Sequence, residues 1–196
     1  QMRDRFGIPF TDDQLASYPL YKPAADSPEG KYMRERRAAL GGDLPQRRMR
    51  SVSLPVPELT AFENQLKGTG EREISTTMAF VRILNTLVKD KSLGRHVVPI
   101  VPDESRTFGM EGMFRQLGIW SQAGQNYQPV DADQLMFYKE AKDGQILQEG
   151  INEAGGMADW IAAATSYSNS NVPMLPVYIF YSMFGIQRIG DLCWAA

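Results

Sequence analysis

Cysteine and histidine are nearly absent: the 196 residues include one of each, Cys193 and His96. That count excludes an internal disulfide and the Cys/His spacings that hold zinc, and a reducing compartment is the expected setting. The start carries no charged segment followed by an apolar core and a small-residue cleavage site, so no secretory leader is expected. Long apolar runs are missing as well. The most apolar stretch, 172–186, is interrupted by Pro173 and Pro176 and falls short of the roughly 20 residues that a bilayer requires. It reads as a buried strand, and no membrane partner is expected. Neither GxxxxGK[ST] nor a GxGxxG following a strand occurs, which removes autonomous nucleotide binding by those devices. Charge of one sign does not dominate either, the net charge being −2. The basic cluster Arg47-Arg48-Met49-Arg50 lacks interleaved aromatics, so a solvated or salt-bridged linker is expected there rather than nucleic-acid binding.

What the chain does have is an ordinary globular composition, 43% apolar and 22% charged. Disordered and collagen-like classes are thereby excluded, and the length suits one compact domain plus an appendage. Residues 1–50 hold ten Lys/Arg against seven Asp/Glu, whereas residues 51–196 hold eleven against sixteen. The first part is rich in Pro and charge, with one helical pattern near 30–40. It reads as an irregular arm, 1–72, that wraps a neighbour. The chain opens on Gln1 and closes on Asp191-Leu192-Cys193-Trp194-Ala195-Ala196, an apolar run with no capping Gly. The expectation is a piece of a longer protein.

From Glu73 onward the pattern is that of an α/β domain, 73–196. Ser75 is placed as an N-cap, and Met78, Val81, Leu84, Leu87 and Val88 recur at helical spacing, giving a helix that ends near 91–94. Val97-Val98-Pro99-Ile100-Val101 reads as a buried strand delivering Asp103 and Glu104 at its carboxyl end. Gln145-Ile146-Leu147-Gln148 is a second strand, followed by Gly150-Ile151-Asn152-Glu153 and a small-residue helix over 154–166. Val177-Tyr178-Ile179-Phe180-Tyr181 is the third strand. Repeated strand, tip and helix units predict a parallel sheet flanked by helices in three layers, with ligands at the carboxyl ends of the strands.

His96 beside Arg95, just before an apolar strand, reads as structural, and a Cys193–His96 dyad has no local nucleophile signature. The remaining candidates are carboxylates and aromatics at strand ends: Asp103, Glu104, Glu149, Glu153, Tyr181 and Phe184. A Glu in the first turn of a helix is favoured by the macrodipole without any ligand, and aromatics after a strand also serve as core. The residue types leave both readings open.

Three long runs carry a resemblance: Pro102-Asp103-Glu104-Ser105-Arg106-Thr107-Phe108-Gly109-Met110-Glu111-Gly112, Gln145-Ile146-Leu147-Gln148-Glu149-Gly150-Ile151-Asn152-Glu153 and Tyr181-Ser182-Met183-Phe184-Gly185-Ile186-Gln187-Arg188-Ile189-Gly190-Asp191. In this order and at these separations they resemble the homodimeric bacterial type of pyruvate dehydrogenase, the decarboxylating component of the pyruvate dehydrogenase complex. The resemblance covers essentially the whole chain. It implies a transketolase-like, thiamine diphosphate-binding pyrimidine domain, with a preceding domain gripping the diphosphate through Mg2+ and a later domain helping to form the dimer. The family's metal-binding motif does not occur here, so no metal ligand is assigned.

By the same resemblance Glu153 is the catalytic glutamate that contacts the aminopyrimidine ring nitrogen. Sharing a carboxyl proton there lets the exocyclic amine take up the proton of the thiazolium carbon, which calls for a desolvated site. Phe184 is implied to stack on the pyrimidine, Tyr181 to lie against the cofactor, and Asp103 and Glu104 to be acidic groups of the active centre. Glu104 is implied for proton transfers, and Arg188 for orienting an acidic partner or substrate. Residues 123–139 match a mobile loop over the entrance. The implied partners are pyruvate, a second subunit and the dihydrolipoyl acetyltransferase core, in a bacterial cytoplasm. Rival readings are a transketolase-like enzyme with another donor substrate and a noncatalytic scaffold.

Overall fold

Contacts divide the chain into two units, Gln1–Arg47 and Arg48–Ala196. The structure, a computed structural model, describes residues 1–44, 48–102, 105–130, 132–133, 138–180 and 183–196, with Phe184 described by its backbone alone. The first unit holds helices α1 (Met2–Arg5), α2 (Asp12–Leu15) and α3 (Pro28–Ala39). Arg3 gathers its start, donating to Asp4 at 2.8 Å, to the Phe10 carbonyl at 3.2 Å and to Asp12. Thr11 and Gln14 cap α2 reciprocally. Ser27 accepts from the Gly30 amide at 3.1 Å and Pro28 opens α3. That Ser-Pro pair, with its preset φ and side-chain cap, starts the helix two residues ahead of the 30–40 pattern.

The second unit runs α4 (Glu63–Leu66), α5 (Thr76–Lys89), β1 (Val97–Val101), α6 (Glu111–Leu117), β2 (Ile119–Trp120), β3 (Glu140–Ala141), β4 (Leu147–Gln148), α7 (Glu153–Ala164), α8 (Ser166–Ser170), β5 (Leu175–Tyr178) and α9 (Met183–Ile189). Ser75 Oγ accepts from the Met78 amide at 3.1 Å and caps α5 as its position predicts. The helix stops at Lys89, earlier than expected, because Asp90 Oδ1 captures the amides of Ser92 and Leu93 at 2.8 and 2.7 Å.

Among the described residues every strand pair is parallel. β1 lies between β4 and β5, β2 pairs β3, and a bridge from Ile119 to Ile146 joins β2 to the segment entering β4. Because side chains alternate along a strand, β1 serves both faces. Val97 and Val101 join Val81, Leu84 and Val88 of α5 and Met113 and Phe114 of α6 in one buried cluster. Val98, on the opposite face, lines a groove with Ala162 and Ala163 of α7. Helices therefore cover both faces, giving the three expected layers. Fully burying one such Leu or Val contributes about 1.5–3 kcal/mol, so the α5 stripe holds that layer in place.

Two prolines sit inside strands, and the hydrogen-bond pattern accounts for both. In a parallel strand a residue's N–H and C=O face the same neighbour. Ile179 N donates to Ile100 O and Glu149 N donates to Val101 O, so Ile100 faces β5 and Val101 faces β4. Pro99 then faces β4 one residue before that strand begins, and the nearby Val97 carbonyl accepts from the Gln145 side chain at 2.6 Å. Pro176 points its donor-less nitrogen away from β1, at the edge of the described sheet. This tolerance lets β5 start at Leu175, ahead of the expected Val177.

Arg48 is exposed, as a solvated linker would be, but it also donates from its backbone to Ser168 O at 3.1 Å and from Nη1 to Asn169 O at 3.0 Å. It thus places a cation on the last carbonyls of α8, before Asn171 ends that helix in the left-handed region. Arg47 lies outside the described residues.

Candidate functional site

Parallel strands share one polarity, so β1, β4 and β5 release their chains at one edge of the sheet. The first run singled out in the sequence follows β1 at that edge, and the second passes through β4 and reaches it at Glu149. Of the predicted site residues, Asp103, Glu104 and Tyr181 lie outside the described residues, and Phe184 is placed only as the second residue of α9. Glu153 is described in full. It opens α7, one residue after Asn152, whose Oδ1 accepts from the Gly155 amide at 3.1 Å and caps the helix.

Arg188 on α9 donates from Nη1 to Glu153 Oε1 at 2.8 Å, and the carboxylate is only 24% exposed. Arg188 thus has an acidic partner within the chain, Glu153. Both the helix N-terminus and the guanidinium place positive potential at this carboxylate, which holds it at the sheet edge. Beneath it, α7 closes tightly on β5: a Cβ on Gly156 would lie 2.8 Å from Tyr178 Cε2. The Tyr178 ring leans on Phe180 with centroids 5.4 Å apart. Burial, followed by the negative charge of Glu153, holds the Tyr178 hydroxyl above the usual phenol range.

A second carboxylate meets α7 from the end of β4. Gly155 and Asp159 are one turn apart on the same helix face. The missing Cβ of Gly155 leaves room for Glu149 Oε2, which would otherwise stand 2.5 Å from it. Glu149 faces Asp159, whose carboxyl is pushed up to about 6 by burial first, then by hydrogen bonding to Glu149 and by the charge of Glu149. The sequence reading had Glu149 at the strand end but missed Asp159, Tyr178 and Asn152. The available signals were the i, i+4 spacing of Gly155 and Asp159, a polar-tipped aromatic in an apolar strand, and an Asn before a helix. Next to the undescribed Glu104, the hydroxyl of the buried Ser105 has no hydrogen-bond partner among the described residues.

His96 Nδ1 lies 2.7 Å from Pro173 O and ties the start of β1 to the approach to β5. Among the described residues no three His, Cys, Asp or Glu side chains converge as metal ligands, and no helix is long and apolar enough to cross a membrane.

Residues 53–196 match the family described as the pyruvate dehydrogenase E1 component middle domain. The chain is 68% identical over 197 residues to the pyruvate dehydrogenase E1 component of Cupriavidus necator, covering 100% of this chain and 22% of that protein. It is 68% identical over 194 residues to the component of the same name from Pseudomonas aeruginosa, covering 99% and 22%. Against the Escherichia coli K12 protein the identity is 52% over 196 residues, again 100% of this chain and 22% of the relative. The chain thus spans about a fifth of the length of the curated relatives it matches.

Proposed function

Since the chain belongs to the pyruvate dehydrogenase E1 component middle-domain family, we propose that it supplies the aminopyrimidine-binding half of a thiamine diphosphate site. The parent enzyme decarboxylates pyruvate and reductively acetylates the lipoyl group of a dihydrolipoyl acetyltransferase core. It works as a homodimer in the cytoplasm, with Mg2+ held by a domain outside this chain. Within the chain, 1–72 is the linking arm and 73–196 the pyrimidine-binding domain.

The observation that carries this reading is the position of Glu153: a carboxylate opening a helix at the carboxyl edge of a parallel sheet and held by Arg188 at 2.8 Å. Its chemistry fits a protonatable ring nitrogen, which needs a carboxyl that can both share and accept a proton. When bound, thiamine diphosphate supplies the electron sink for decarboxylation of a 2-oxo acid. The chain's part is to hold and move a proton. Arg188 engages Oε1 of Glu153 and steadies the carboxylate that would face the ring nitrogen. Asn152 and the close seating of α7 on Tyr178 fix the helical turn that carries the carboxylate. In the same reading Phe184 stacks on the ring, Tyr181 and Asp103 line the cofactor, and Glu104 exchanges protons with the bound substrate. Residues 123–139 border the entrance and exclude water from the reacting centre.

The test uses the complete parent chain: carbon dioxide release from pyruvate, with thiamine diphosphate and Mg2+ each added or omitted, for wild type and Glu153→Gln. Cofactor-dependent release that falls by two or more orders of magnitude in the variant, the scale of a lost acid–base group, supports the reaction and the role of Glu153. Cofactor binding without pyruvate turnover points to a transketolase-like enzyme with another donor. No binding at all leaves the scaffold reading.

A further inference from the structure

The outgoing and returning parts of the segment between β2 and β3 meet on one carboxylate. Glu140 Oε1 accepts from the Tyr127 hydroxyl at 2.7 Å and from the Tyr138 hydroxyl at 3.0 Å, and the Glu140 amide donates to Gln125 Oε1 at 3.1 Å. Gln125 and Tyr127 belong to the part leaving β2, whereas Tyr138 lies two residues ahead of Glu140 on the part returning to β3. Main-chain bonds fix the root below them, from Ile119 N to Lys139 O at 2.8 Å and from Ser121 N to Ala141 O at 3.0 Å. The Tyr138 ring stands edge-on to Phe114, 6.0 Å between centroids, and so anchors the returning part to the buried cluster. On the outgoing part the Tyr127 ring is 54% exposed. Beyond the root at Ser121, the side-chain bonds that join this part to β3 among the described residues run to Glu140.

A single carboxylate oxygen suits this task because its lone pairs accept two hydroxyl donors at once. The donors persist, since the bond to Glu140 and burial raise the Tyr127 hydroxyl above the ordinary phenol range, and burial raises Tyr138 further with the help of Glu140. The location gives the clasp a consequence. β2 runs parallel to the chain entering β4 through the Ile119–Ile146 bridge, so Ser121 departs toward the same edge as Glu149 and Glu153.

We propose that Glu140 is a positioning residue for substrate entry: by accepting the Tyr127 and Tyr138 hydroxyls together it fixes the outgoing part of the segment, around Gln125 and Tyr127, against β3 at the rim of the site. This rests on the preceding reading, in which the segment borders the entrance. The prediction is a change in the pyruvate KM with little change in kcat, because the bonds Glu140 makes are to Tyr127, Tyr138 and Gln125 rather than to Glu153.

The experiment compares the complete parent enzyme with its Glu140→Ala and Glu140→Gln variants and with the Tyr127→Phe/Tyr138→Phe double variant. Two readouts are taken: the rate of limited proteolysis within 121–139, and kcat and KM for pyruvate at saturating thiamine diphosphate and Mg2+. Glu140→Ala and the double variant should speed cleavage and raise KM several-fold, with kcat changed far less. Glu140→Gln keeps a carbonyl oxygen with two lone pairs and should restore both values toward wild type. Unchanged cleavage and KM in Glu140→Ala, or a Gln variant as impaired as Ala, overturns the assignment. If Glu140→Ala does not fold, the double variant, which keeps both rings packed, decides by the same criteria. Proteolysis needs no turnover, so a wild-type enzyme inactive on pyruvate would overturn the functional reading while the clasp is still judged by cleavage.

Discussion

Asp159 and Glu149 form a carboxyl pair whose protonation favours the folded chain in acid. The Asp159 carboxyl stands at about 6 against an ordinary 3.8, so the native state binds that proton more tightly than the unfolded chain does. Its contribution to stability is fully present below 3.8 and is lost as pH rises through about 6. Denaturant unfolding of the 196-residue chain across that window should therefore register a loss of stability that Asp159→Asn flattens. The amide of Asn donates to Glu149 at every pH. Parallel pH profiles for the two chains would remove the pair from the account. Gly156 makes a second residue-scale prediction. Alanine there gains up to about 1 kcal/mol of helix propensity, yet its Cβ would stand 2.8 Å from a Tyr178 ring already leaning on Phe180. Overpacking of this kind costs about 1–3 kcal/mol. Gly156→Ala should therefore lower unfolding stability on balance, and a gain would mean that the ring moves aside.

Among the elements, α7 depends on its first turn. Asn152→Ala removes the acceptor of the Gly155 amide and should cost about 1 kcal/mol, read by thermal or denaturant unfolding. In the parent enzyme it should also lower activity, because the capped turn carries Glu153. Activity unchanged beside that stability loss would detach the cap from the site. The elements also mark what the sequence makes legible. Ser75 with its helical stripe and the apolar run 97–101 are local signals: α5 starts where Ser75 points and β1 spans the run, while the end of α5 is set by Asp90. Features set by distant partners were not legible: the tolerance of Pro176 depends on which side faces β1, and Arg48 finds its carbonyls 120 residues away. For the site, spacing alone left Glu153 between a first-turn carboxylate and a ligand group, and the family resemblance supplied the choice. Its ion pair spans 35 residues and joins two helices that no local pattern connects. Asp103, Glu104 and Tyr181 rest on the resemblance, since they lie outside the described residues.

At the scale of the whole molecule, the chain corresponds to 22% of each relative's length, and the family it matches is named as a middle domain. A parallel sheet with both faces covered by helices has its carboxyl edge left for ligands. Here that edge offers carboxylates and aromatics, groups suited to a heteroaromatic ring with an exchangeable proton. A diphosphate needs the opposite chemistry: cations, a metal, or amides at a glycine-rich turn. In the proposed reading this edge provides the ring-binding half of the site, and the half that grips the diphosphate comes from elsewhere in the parent. The purified 196-residue chain, supplied with thiamine diphosphate, Mg2+ and pyruvate, should release no carbon dioxide above the protein-free background, whereas the complete parent should. Turnover by the short chain alone would show that its own residues grip the whole cofactor, and the division of the site between domains would have to be abandoned.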